Sequence, residues 1–134
     1  MAIRVIWDNS EQTILRYIFD PHWEWEDFAV AREEGYGLID RVTHPIGVIL
    51  DTPSDMWVPT KVLLRGRSAM QNTHVNTVIL VFIVPNPAAR LVYDTLIKIA
   101  VKKEGCQICI ADSLDEARRL VVEHLAERTA TSQS

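Results

Sequence analysis

Cysteine is scarce in this chain: Cys106 and Cys109 are the only two among 134 residues, too few for a disulfide framework and in keeping with a reducing compartment. Positive charge is scarce as well, with 14 Lys and Arg against 18 Asp and Glu, a net charge of -4, and no Lys/Arg-rich run. Nucleic acid is bound through neutralised phosphates, so it is excluded as an expected partner. The most apolar stretch, Val78 to Val84, falls far short of the ~20 residues of a membrane-spanning helix. Arg4 and Asp8 interrupt the N-terminus where a signal peptide needs an unbroken apolar segment, which points to a cytoplasmic protein. With 5 Gly and 6 Pro, the chain is not of low complexity.

Catalytic signatures are missing too. There is no Gly-x-Ser-x-Gly, no Walker loop, no Gly-x-Gly-x-x-Gly and no His-Glu-x-x-His. The four histidines, His22, His44, His74 and His124, share no ligand spacing. Neither an enzyme, a metal nor a cofactor is therefore expected. Cys106-Gln107-Ile108-Cys109 has redox spacing, but it leads into a strand rather than a helix N-terminus. Residues three apart on a strand point to opposite faces, so the two thiols are expected to stay reduced and unbridged.

What is present is an alternation of strands and helices. Ile3 to Trp7 and Thr13 to Phe19 read as β-branched strands around the turn formers Asp8-Asn9-Ser10-Glu11. From Trp25 to Val42 the spacing of Trp25, Phe28, Ala29, Tyr36, Ile39 and Val42 predicts a helix, with Glu24, Glu26 and Asp27 at its positive end. Ile46 to Leu50 is too short for a helix and apolar on both faces, as in a central strand, and it ends at Asp51. A loop follows, then a short helix from Pro59 or Thr60 with Val62, Leu63, Gly66 and Met70 as its stripe.

Thr77 to Val84 predicts a second central strand. Asn86 is the expected N-cap and Pro87 the first residue of a helix reaching Val101. Gln107 to Ala111 completes the strands. Ser113-Leu114-Asp115-Glu116 is a capping box that opens a last helix, whose stripe is Ala117, Leu120, Val121, His124 and Leu125. The order β-β-α-β-α-β-α-β-α implies a single α/β domain over residues 1–128, with a mixed, largely parallel five-stranded sheet and four helices, and a frayed tail at 129–134.

In element order over residues 3–127, and in the Ile46-Gly47-Val48-Ile49-Leu50-Asp51 strand leading to a short helix, the chain resembles the STAS family of anti-sigma-factor antagonists. The resemblance implies a regulatory binding module without catalysis, using the loop and helix after the third strand, with an anti-sigma-factor or kinase-like protein as partner and room for a homo-oligomer. The family's Asp-Ser-[Ser/Thr]-Gly phosphorylation motif is absent from the stretch between Asp51 and Thr60, although Thr60 falls near its acceptor. A distant branch of this shape is similar to lipid-binding CRAL-TRIO domains, which implies a small apolar ligand as the alternative.

In open α/β sheets the usual site is the crevice outside the carboxyl ends of the strands. Here that edge gathers Asp51, Thr52, Ser54, Asp55, Trp57 and Thr60 after one strand and Asn86 after the next. Each also has a local reason to be there, since Ser, Asp and Asn cap turns and helices. Trp57 is the exception, a large aromatic in a polar loop, expected to be exposed as a lid or a partner anchor over an apolar pocket beneath. Trp23 and Trp25 are expected to cover the end of the sheet as core.

Overall fold

The computed structural model describes residues 2–59, 61–99 and 105–133. It begins with an antiparallel hairpin of β1 (Ile3–Trp7) and β2 (Ile14–Phe19), with Ile3 opposite Phe19 and Trp7 opposite Leu15. Asn9 builds the turn by accepting from the backbone N–H groups of Thr13 at 3.0 Å and Ile14 at 3.2 Å. The chain continues as α1 (Trp25–Ile39), β3 (Ile46–Asp51), α2 (Val62–Gln71), β4 (Thr77–Ile83), α3 (Pro87–Ile99), β5 (Gln107–Ala111) and α4 (Leu114–Gln133). From β2 onward neighbouring strands are parallel, and the sheet keeps chain order, β1-β2-β3-β4-β5. This is the mixed α/β sheet that the alternation of elements predicts.

Boundaries move where local geometry decides them. α1 ends at Ile39, short of Val42, because Arg41 and Val42 donate to carbonyls only three residues back, at 3.2 and 3.1 Å. α2 begins at Val62 rather than Pro59 or Thr60, since Lys61 has a left-handed φ of 57° that cannot continue a helix. Thr60 itself lies outside the described residues, as does 100–104, where the predicted end of α3 falls. α4 runs on to Gln133, past Thr129, where its apolar stripe stops.

Right-handed crossovers between strands adjacent in both chain and sheet place their helices on one face. On that face Leu15, Tyr17, Phe19, Val48 and Leu80 pack with Ala31 and Ile39 of α1. Phe82 and Val84 pack with Met70 of α2 and with Ala89, Tyr93 and Leu96 of α3. The other face carries Ile14, Ile49, Ile79, Val81 and Ile83, covered by Ala117 and Val121 of α4. All seven residues of β4 are buried, which is why its sequence is an unbroken apolar run. Cys106 packs on the first face and Cys109 on the second, both as free thiols, as their strand spacing predicts.

Gly47 sets how closely α4 approaches the sheet. A Cβ there would lie 2.4 Å from Val121 Cγ1 and 3.0 Å from Ile79 Cγ2. Gly47→Ala is expected to destabilise the fold by about 1 to 3 kcal/mol through overpacking. Adding Val121→Ala should recover part of that loss, and the urea midpoints of the two variants check both statements.

Candidate functional site

The loops after β3 and β4 do meet at the carboxyl edge of the sheet. Asn86 Nδ2 donates to the Ser54 carbonyl at 2.9 Å, which ties the two loops together. The same side chain accepts from the N–H groups of Ala88 and Ala89 at 3.0 and 3.1 Å, so it is also the N-cap of α3. Asp51 and Thr52 point to opposite faces. Thr52 is buried on the helix face, where its hydroxyl donates to the Ile83 carbonyl. Asp51 turns to the α4 side and accepts from Arg16 at 2.6 Å. Arg16 also lies 3.6 Å from Asp8, whose nearly buried carboxylate takes two bonds from Arg118 at 2.7 and 2.9 Å. Asp51 is thus committed to a charge network behind the sheet rather than to the crevice. Asp55 and Ser54 are exposed.

Trp57 is 53% exposed, and its ring stacks on His22 with centroids 4.3 Å apart. Its N–H donates to the Pro21 carbonyl at 2.8 Å, so this loop is pinned to the segment between β2 and α1. That segment also delivers Trp23, which is 3% exposed and set edge-on against Phe19 and Trp25 at 5.1 and 5.0 Å.

A cavity opens beside these aromatics, between α1 and α2 rather than beneath the Trp57 loop. Its floor is Tyr17, Phe19, Val48, Leu50, Leu80 and Phe82 of the sheet, its walls Phe28, Arg32 and Tyr36 of α1 and Val62, Gly66 and Ala69 of α2. α2 leans on α3 instead, because Gly66 lets it approach Leu96: a Cβ at Gly66 would come within 2.7 Å of Leu96 Cδ2. Side chains join the two walls across the gap near both of its ends. At one end the Arg65 guanidinium sits 6.0 Å from the Trp25 ring. At the other, Tyr36 Oη donates to the Asn72 carbonyl, and His74 Nε2 lies 2.7 Å from Asp40. The middle stays open as a mouth.

The lining is almost wholly apolar, and the cavity measures about 80 Å³. That is more than the roughly 10–15 Å³ one water needs and less than the ~150 Å³ of an apolar cavity that takes benzene. Two of its polar lining residues carry an unpartnered atom. Trp23 Nε1 and Thr77 Oγ1 are buried without a hydrogen-bond partner among the described residues. They mark opposite ends, Trp23 beyond the carboxyl end of β2 and Thr77 at the start of β4. The run from Thr77 to Phe82 along the floor is about 17 Å at ~3.3 Å per residue.

Burial raises the phenol pKa values on this face. Tyr17 is pushed well up by burial, reinforced by Tyr36 and opposed by Arg32, and Tyr36 is raised by burial against the same Arg32. Tyr93, beside Phe82, is pushed up to about 12 by burial. Folding therefore favours the neutral phenols. That stabilisation is complete below the unfolded value near 10 and is lost as pH rises toward the folded value, about 2 kcal/mol for Tyr93 by pH 12. Urea midpoints measured at pH 9 and pH 11 should fall accordingly, and Tyr93→Phe should remove its share of the fall.

The sequence holds one signal for this cleft that its reading as a core helix passes over. Phe28, Arg32 and Tyr36 are four apart, so a cation stands in the middle of an apolar stripe. Gly35 is a second: a Cβ there would lie 2.1 Å from Tyr17 Oη, so a helix-weakening glycine makes room for a phenol under α1. Among the described residues no helix is long and apolar enough to cross a membrane, and no group of His, Cys, Asp and Glu could hold a metal ion. No family model, curated protein or solved structure matches the chain.

Proposed function

We propose that this chain is a small-molecule binding module, without turnover, whose ligand is largely apolar, carries oxygen, is no larger than a short alcohol and lies in the α1–α2 cleft. One observation carries the reading: an almost wholly apolar cavity is lined by Trp23 and Thr77, whose buried Nε1 and Oγ1 have no hydrogen-bond partner among the described residues. A buried donor without a partner costs about 1 to 3 kcal/mol, and native proteins keep few of them. A ligand oxygen relieves that cost, and the apolar lining supplies the rest of the affinity. The polar side chains of the lining are Arg, Thr, Tyr and Trp, which place no nucleophile beside a base. Titration calorimetry with butan-1-ol tests the reading. Saturable binding of one molecule per chain with a negative heat-capacity change is expected, and absence of heat at any temperature contradicts it.

A second reading, a protein-binding surface on the loop and helix after β3, is favoured by the exposure of Trp57 and of Leu64, which is 69% exposed on α2. It follows the STAS resemblance and its anti-sigma-factor or kinase-like partner. Of the loop residues, Asp51 is bonded to Arg16, Thr52 to the Ile83 carbonyl and Asn86 to the Ser54 carbonyl, so the support for this reading comes from Trp57 and Leu64.

A further inference from the structure

We propose that the outer edge of β1 docks an extended basic peptide segment of a protein partner, which adds to the five-stranded sheet as a further antiparallel strand and lies against α1. The site is independent of the cleft and occupies the other flank of α1. The cleft uses Phe28, Arg32 and Tyr36, whereas this flank presents Asp27, Val30, Ala31 and Glu34 to a groove that also includes Ala2 and Ile3.

The hairpin fixes which backbone groups face outward. The Asp20 N–H donates to the Ala2 carbonyl and the Asp8 N–H to the Ile14 carbonyl, both at 2.8 Å, so the even-numbered residues of β1 are the ones bonded to β2. Bonded pairs alternate along an antiparallel ladder, which turns the N–H and C=O groups of Ile3, Val5 and Trp7 away from the sheet. Among the described residues no loop or helix bonds to them. Edge strands are ordinarily blunted by a proline, a bulge or a charge. β1 has no proline and no break in register, and its one charge, Arg4, projects from the face opposite Ile3 and Val5, which pack under α1.

The groove specifies the side chains of the added strand. A residue opposite Ile3 would place its side chain beside Val30, which is 59% exposed, and Ala31, so that position calls for a small apolar residue. Its same-face neighbours, two residues away on either side, lie ~7 Å off along the strand. Asp27 and Glu34 stand three residues before Val30 and four after it, about 4.5 and 6 Å along the helix. The two spacings match, and the carboxylates call for Lys or Arg at both neighbours. Glu34 is exposed and makes no hydrogen bond or ion pair among the described residues. The same charges argue against a second copy of this chain, because pairing β1 with β1 about a two-fold axis would set each α1 beside its copy, carboxylates against carboxylates.

Two capped peptides test the proposal, Lys-Thr-Val-Thr-Lys and Glu-Thr-Val-Thr-Glu, followed by amide shifts and hydrogen exchange in a ¹⁵N-edited spectrum of the full chain. The Lys peptide should bind at least about tenfold more tightly, since two exposed pairs change from attraction to repulsion. It should slow exchange at the amides of Ile3, Val5 and Trp7 and leave Arg4 and Ile6, already bonded to β2, as they are. N-methylation of the peptide's valine, which deletes the N–H that the Ile3 carbonyl would accept, should abolish binding. Glu34→Lys should bring the preference to within about twofold, with far-ultraviolet circular dichroism establishing that the variant is folded; Asp27 is kept because it caps α1. Equal binding of the two peptides, binding that survives N-methylation, or exchange unchanged at Ile3, Val5 and Trp7 would overturn the proposal. So would a dimer in sedimentation that protects these same three amides, which would put a second copy on the edge.

Discussion

Trp23→Ala is expected to lower stability by about 3 to 5 kcal/mol, the cost of emptying a buried aromatic site. Trp23 is 3% exposed and touches Phe19, Trp25 and Phe28, so its removal opens the aromatic cluster that joins β2 to α1. Trp23→Phe should cost far less, because it keeps a ring on Phe19 and deletes an N–H that has no partner. Trp57→Ala provides the contrast. That ring is 53% exposed and gives up chiefly its stack on His22, so the loss should stay below about 1 kcal/mol. Urea denaturation of the three variants reads all of this, and a small loss for Trp23→Ala would mean that the cluster is not core.

Ala69→Phe is expected to weaken butan-1-ol binding by tenfold or more, about 1.4 kcal/mol or above, while changing stability little. Ala69 is half-buried on α2 and faces α1 across the mouth, where a benzyl group has open space to enter. Overpacking is costly in a filled core, whereas here the added ring occupies the room the ligand needs. Calorimetry on this variant, beside its urea midpoint, separates a blocked cleft from an unfolded one. Binding at native strength would place the ligand elsewhere.

The fold was legible in the sequence because its signals are local. Thr77 to Ile83 is apolar on both faces, Asn86-Pro87 is a helix start, and Ser113 Oγ does accept from the Glu116 N–H at 3.2 Å. The loop residues were legible as well, and Asn86 does reach Ser54, but the crevice they suggest is largely occupied by its own bonds. Asp51 shows why. Whether a strand's last residue faces one side of a sheet or the other depends on register, and register depends on partners: Asp51 pairs with Ile18 of β2, beside Arg16.

The cleft was not legible because its lining is scattered over α1, α2 and three strands at positions whose apolar period reads as ordinary core. What separates a cleft from a core is the distance between two helices. Here that distance follows from Gly66, which draws α2 toward α3, and from bridges between α1 and α2 placed near their ends. No periodicity encodes such a gap. Arg32 in the stripe of Phe28 and Tyr36, and Gly35 above Tyr17, were the local signs of it.

The most direct test of the cleft as the binding site is the indole region of a ¹⁵N-edited spectrum, in which the four tryptophans report from four places. Addition of butan-1-ol should move the Nε1–H signals of Trp23 and Trp25, which line the cavity, and leave those of Trp7 and Trp57, which do not. The Trp23 signal should move furthest, toward the position of a hydrogen-bonded indole. Movement of Trp57 alone would put the ligand on the loop, and a Trp23 signal unmoved at saturation would contradict the account.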